Sequence, residues 1–322
     1  MTGMTLDTVR WQAHARLNHW HTLLLLGVMG GFLALLGWLI AGPDGLVALL
    51  IGGALGGLLN RSASPTWIMR LYGASELGNH SAPGLIRITH MLSERAGLDR
   101  PPRLFHIPSR ALNAFAVGNS GNAAIAVTDG LVRALDQREM AGVLGHEISH
   151  IRNNDLRVMG LADLFSRATS LLSLFGQILV LISLPLMFFG EVAINWLAIL
   201  LLVAAPGLST LAQFALSRTR EFDADLNAAR LTGDPEGLAR ALSKIEQIQS
   251  GWLERVLMPG RRKVEPSSLR THPSTEERIK RLMSLRLAPR DLPPAHRAWL
   301  EPEFARPIQR QPRRRYVSGL WY

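Results

Sequence analysis

His146-Glu147-Ile148-Ser149-His150 sets two imidazoles four residues apart, with a carboxylate beside the first. On a helix, residues i and i+4 share a face, so both rings can reach one metal ion. Glu147 is then placed to take a proton from a water activated at that ion. Downstream, Glu221-Phe222-Asp223-Ala224-Asp225 carries two carboxylates, Glu221 and Asp225, at the same helical spacing. The pair can complete a His₂Glu set, one of the ligand sets that catalytic zinc uses. The chain has no cysteine, so zinc here must rest on histidine and carboxylate.

These residues need helices to present them. Asp136 opens a helix, with Glu139 at capping-box spacing, and that helix carries Val143, Leu144, His146, His150 and Ile151. Residues 217–232 read as a second helix, ending near Gly233-Asp234-Pro235. Helices are also expected over 83–96, 235–250 and 274–285. Residues 103–107, 113–117 and 123–128 read as short strands, with Gly118-Asn119-Ser120-Gly121-Asn122 as the turn between the last two. The fold class is mainly α with a small β-sheet.

Between these elements lie four apolar runs. Residues 22–42 carry no charge over a length that crosses a hydrocarbon core of about 30 Å. Pro43-Asp44-Gly45 reads as a tight turn, and the short glycine-rich run 46–59 follows it, either spanning with its flanking residues or packing as a re-entrant partner. Residues 168–189 and 192 to about 215 form a second pair, separated only by Gly190-Glu191. A signal peptide does not explain the first run, because it is too long and is followed at once by another. Two membrane hairpins are expected. The turns at Asp44 and Glu191 lack basic residues, whereas Arg10, Arg16, Arg61, Arg70, Arg157, Arg167, Arg218 and Arg220 flank the hairpins. The positive-inside rule therefore puts both termini and the His146 helix in the cytoplasm.

The organisation expected along the 322 residues is an N-terminal cytoplasmic segment (1–21), hairpin 1 (22–59), a first catalytic part (60–167), hairpin 2 (168–215), a second catalytic part (216–286) and a basic tail (287–322). Net charge is +10 and no nucleic-acid module is visible. Basic residues beside apolar runs favour a lipid bilayer as partner over nucleic acid. Residues 258–268 read as a mobile basic loop.

Four acids compete to be the third ligand. Glu191 falls across the membrane, and Asp223 points away from the face shared by Glu221 and Asp225. The longer Glu221 suits ligation. Asp225 then suits a second layer, accepting the outer N–H of a ligating histidine. Asn153, Asn154 and Asp155 are read as pinning the continuation of the helix.

His146-Glu147-x-x-His150-x-x-Asn153, with Glu221-x-x-x-Asp225 after a hydrophobic hairpin, resembles the HtpX-type membrane metallopeptidases, whose wider circle includes the CAAX prenyl proteases. Asn113-Ala114-Phe115-Ala116, Ser217-Arg218-x-Arg220-Glu221-Phe222 and Thr271-His272-Pro273-Ser274 followed by Glu277-Arg278-Ile279 extend the resemblance over roughly residues 65–285. It implies a gluzincin-like zinc peptidase domain on a four-helix membrane anchor, one Zn²⁺ per chain, and a bacterial-type inner membrane. It also implies Glu147 as general base and Asn113, Ala114, Phe115 and Ala116 as an edge strand on which a substrate peptide lies. His272 is implied as an oxyanion stabiliser or as a removable cap on zinc. The expected activity is endoproteolysis of misfolded or membrane proteins. A peptide-binding chaperone or adaptor would not need Glu147. A transporter would place charges inside the apolar runs, and there are none.

Overall fold

The computed structural model describes residues 8–59, 64–188, 196–257 and 273–285. Helix α1 (Thr8–Leu59) breaks at Ala41 and Gly42, whose backbones are not helical. Gly42 adopts φ 57°, which a side chain would resist. A Cβ at Gly45 would overlap the Gly37 carbonyl, and Leu49 packs on Gly37, so the chain doubles back at the break. The turn expected at 43–45 is thus present, one or two residues earlier. Short α2 (Pro65–Leu71), β1 (Ser75–Glu76) and α3 (Pro83–Ala96) follow. Helix α3 starts on Pro83 and stops at Gly97, which is left-handed at φ 71°.

Strands β2 (Arg103–Ile107), β3 (Ala114–Asn119) and β4 (Asn122–Thr128) complete a sheet in the order β1-β2-β4-β3. β2 runs parallel to β4, and the β3–β4 hairpin is antiparallel in the register Phe115↔Ala126. β3 is therefore an edge. Side chains alternate across the sheet. Ile125 and Val127 enter the main core, while Ala124 and Ala126 meet Phe105 and Met69 beneath α2 on the other face.

After α4 (Asp129–Ala134) come α5 (Gln137–Arg152), α6 (Asp155–Phe188), α7 (Trp196–Thr232), α8 (Pro235–Leu257) and α9 (Thr275–Ser284). The main core joins α3, the sheet, α5, α8, α9 and the C-terminal end of α7. Among the described residues, three helical stretches are long and apolar enough to cross a membrane: Gln12–Leu49, Asp155–Pro185 and Trp196–Thr232. The second and third run through the expected boundaries near 168 and 215 without interruption. The expected separate helix at 217–232 is the C-terminal part of α7, because backbone hydrogen bonding is indifferent to the change from apolar to polar side chains. The expected turn at 190–191, basic loop 258–268, His272 and tail from 287 lie outside the described residues.

Candidate active site

Helix α5 begins with the expected capping box: Glu139 N–H donates to Asp136 Oδ1 at 2.9 Å, and Asp136 N–H donates to Glu139 Oε2 at 2.9 Å. A glycine lets this helix pack tightly on α8, and a second faces α7 at ordinary contact distance. Gly142 faces the backbone of Leu238 in α8, and Gly145 faces Ala228 and Thr232 in α7. The helix is thereby held with His146 and His150 turned toward α7. It ends at Asn153, where Asn154 is left-handed at φ 54° and redirects the chain into α6.

Nε2 of His146 and Nε2 of His150 lie 3.1 Å apart. Glu221 brings Oε2 to 3.4 Å from the first and Oε1 to 3.9 Å from the second. The outer ring nitrogens are also engaged. His146 Nδ1 is 3.0 Å from Asp225 Oδ1, and His150 Nδ1 is 2.7 Å from Asp155 Oδ2. A carboxylate at Nδ1 favours the tautomer with its proton there and a lone pair at Nε2. Two such lone pairs facing each other at this distance call for a cation or a proton between them. Tetrahedral ligands at about 2.0–2.2 Å from zinc would stand about 3.3–3.6 Å apart, close to these separations. The donor set therefore fits a divalent metal, and three ligand atoms leave a fourth position for water or substrate.

With the protein groups alone, burial works to lower the His146 pKa, but Asp225 and Glu221 outweigh it and lift it to about 10. A metal would take the place of that proton. Burial pushes the Glu147 carboxyl above its ordinary value, against the pull of both imidazoles. The Ala116 backbone N–H donates to the same carboxylate, which ties Glu147 to the edge strand. Burial would raise Asp225 too, but Arg278 and His146 hold it below the ordinary range.

A cleft of about 860 Å³ runs over these groups. Asn113, Ala114, Phe115 and Ala116 line one wall, as expected for the edge strand. Val143, Leu238, Leu242 and Ile245 add an apolar character to its lining. Two residues that sequence reasoning names without a role at the site stand at the His146–His150–Glu221 cluster. Arg278 of α9 donates Nε to Asp225 Oδ2 at 2.8 Å and Nη2 to Asp225 Oδ1 at 2.7 Å, and places Nη1 3.3 Å from Glu221 Oε2. It neutralises two neighbouring carboxylates, and the pair at 221 and 225 was the available hint that a cation must be near. Asp155 does not continue α5 as expected but opens α6 after the break at Asn154, and it holds His150 and also accepts from Arg220 Nη1 at 3.2 Å. Asp223 points away as expected, toward Asn153 at 3.3 Å and Arg220 at 3.5 Å.

Residues 79–286 match Peptidase family M48. The chain is 35% identical over 289 residues to a protein named Protease HtpX homolog from Paraburkholderia phytofirmans, covering 82% of this chain and 95% of that one. A protein of the same name from Acaryochloris marina is 37% identical over 287 residues, covering 84% and 95%. Among solved structures, the crystal structure of S. mikatae Ste24p aligns with a TM-score of 0.43 at 21% identity, over 84% of this chain and 66% of that chain.

Proposed function

Because the chain belongs to peptidase family M48 and is a membrane metallopeptidase, a hydrolase of peptide bonds, we propose that it is a zinc-dependent endopeptidase. Its proposed substrates are misfolded and membrane proteins, cleaved on the cytoplasmic side of a bacterial inner membrane. The observation that carries the reading is the convergence of His146, His150 and Glu221 beside Glu147, in a cleft lined by β3, which ends the sheet among the described residues.

His146, His150 and Glu221 would hold one zinc ion. Zinc supplies Lewis acidity toward the scissile carbonyl and toward water. The chain's own groups do the rest. Asp225 and Asp155 keep the Nδ1 protons and aim both Nε2 lone pairs inward. Arg278 fixes Asp225 and Glu221 in place. Glu147, steadied by Ala116 N–H, accepts the proton of the attacking water and returns it to the leaving amine. The outer edge of β3 would receive an extended peptide as an added strand, with main-chain hydrogen bonds setting its depth in the cleft. His272 is assigned by resemblance alone to oxyanion stabilisation or to a removable cap.

Cleavage of casein or of the protein itself, with and without chelator, tests the peptidase. Glu147→Gln should retain zinc and lose activity by about two to four orders of magnitude. Wild-type turnover in that variant would move the base elsewhere. Zinc-dependent peptide binding by the native protein without any cleavage would favour the adaptor. The inactive variant also serves as bait for the substrates it retains.

A further inference from the structure

Outside the three apolar helices, the exposed large apolar side chains among the described residues are Trp67, Leu71, Tyr72, Ile248 and Met283. Three of the five lie together on α2 and its C-cap. Trp67, Arg70 and Leu71 stand at i, i+3 and i+4, so they share one face of the helix. Trp67 is 57% exposed, Leu71 65% and Tyr72 59%. The opposite face is buried: Pro65 and Met69 pack inward, Met69 with Phe105, Ala124 and Ala126 of the sheet. The outward face thus combines a tryptophan, a leucine, a tyrosine and an arginine, a composition suited to the boundary between headgroups and acyl chains.

The connection to the membrane hairpin is short. Helix α1 ends at Leu59 and α2 starts at Pro65. The six Cα–Cα steps from Leu59 to Pro65 reach at most about 22 Å, so α2 stays close to the end of α1, the helix that carries the first membrane-capable stretch. Tyr72 also packs on Phe115 of the edge strand, with ring centroids 5.1 Å apart. Arg103, at the start of β2, donates to Thr66 Oγ1 at 2.7 Å and ties α2 to the sheet.

We propose that the Trp67–Arg70–Leu71 face of α2, with Tyr72, is a docking surface for the lipid interface that holds the β3 edge at the membrane. The arginine meets lipid phosphate while the aromatic and leucine side chains enter the acyl boundary. Through Tyr72 and Phe115 the docked helix sets the height of β3 above the lipid. The surface rests on the membrane location of the chain. Its consequence for substrates rests on the proposed peptidase reading.

The absence of cysteine allows the test in the full-length protein. Leu71→Cys is labelled with an environment-sensitive nitrobenzoxadiazole dye and reconstituted into phosphatidylethanolamine–phosphatidylglycerol vesicles at low protein density. Arg133→Cys is the reference. It lies on α4, beyond the far end of β4, and its side chain is 72% exposed. Blue-shifted emission at 71, with quenching by lipids carrying a nitroxide near the headgroup, is expected, and neither is expected at 133. Identical water-like emission at both sites overturns the proposal. Shielding at 71 that appears only with energy transfer between labelled copies, without nitroxide quenching, also overturns it and assigns the face to a second copy of the chain. In a second arm, Trp67→Ser/Leu71→Ser should cleave a membrane-tethered flexible segment about 3- to 10-fold more slowly, as expected when a local membrane concentration is lost. The same segment free in solution should be cleaved at the native rate. Equal native rates on both forms would reject the role in substrate presentation. Loss of both rates together would mark structural damage, and the emission readout on Leu71→Cys then decides the docking by itself.

Discussion

Asp155 Oδ2 lies 2.7 Å from Nδ1 of His150, so the first residue of α6 holds a side chain of the last turn of α5. The other oxygen of the same carboxylate receives Arg220 of α7, and Arg220 reaches on to Thr22 Oγ1 of α1 at 2.6 Å. One proposed ligand is thereby oriented through three helices that also carry the apolar runs. Replacing Asp155 by Ala should lower zinc affinity about 10- to 100-fold without unfolding the chain, as measured by competition with a chromogenic chelator. Unchanged affinity would show that His150 needs no such support.

The metal assignment itself is tested by content. Purified protein should hold about one zinc per chain by the three-ligand logic. His146→Ala and His150→Ala should each lose most of it in elemental analysis, and stoichiometric zinc in the double variant would defeat the assignment.

Two glycines on α5 should respond in opposite directions to the same change. A Cβ at Gly142 would come within 2.8 Å of the Leu238 backbone, where no flexible side chain can yield. Gly142→Ala should therefore destabilise by about 1–3 kcal/mol. A Cβ at Gly145 would meet Thr232 and Ala228 at 3.4 Å and beyond, an ordinary contact. Gly145→Ala should be neutral or stabilising by up to about 1 kcal/mol, because alanine favours the helix. Thermal unfolding of both variants in the same detergent checks the order. A lower melting temperature for Gly145→Ala than for Gly142→Ala would contradict the packing of α5 between α7 and α8.

Orientation is checked with reporter fusions. Fusions after Arg61, after Arg157 and at Tyr322 are expected to report the cytoplasm, and fusions in the turns at Asp44 and Glu191 the outside. An external signal at Tyr322 would place the cleft on the opposite side.

The parts of this fold legible in the sequence are those with local causes. Helix α3 is legible from its amphipathic pattern behind Pro83, and the start of α5 from the Asp136–Glu139 reciprocity, because such signals act within a turn or two. His146 and His150 are legible because helical spacing alone brings them together, and Glu221 because the other nearby acids could be ranked below it by side of the membrane, helical face and side-chain length. The missed pieces depend on partners far along the chain. Helix α2 spans seven residues and buries only Pro65 and Met69, too few to reveal a period. Arg278 reaches Asp225 across 53 positions, and nothing near either residue specifies that meeting. Asn153, Asn154 and Asp155 read in the sequence as pinning a continuing helix, whereas α5 ends at Arg152 and the reversal at Asn154, which only the folded backbone discloses, lets Asp155 open α6 and grip His150.

Helix α7 runs unbroken from Trp196 through its apolar part to Glu221 and Asp225. The proposed zinc ligand and its neighbour are thus in rotational phase with the lipid-facing stretch. One residue added between Ala215 and Leu216 would turn Glu221 by about 100° and advance it about 1.5 Å relative to the upstream span, while every residue of the site remained in the chain. The span is therefore not an exchangeable tether. A foreign membrane segment could replace it only by matching its helical phase as well as its length, and a change in tilt imposed by a thinner or thicker bilayer would be felt at the carboxylate as a rotation.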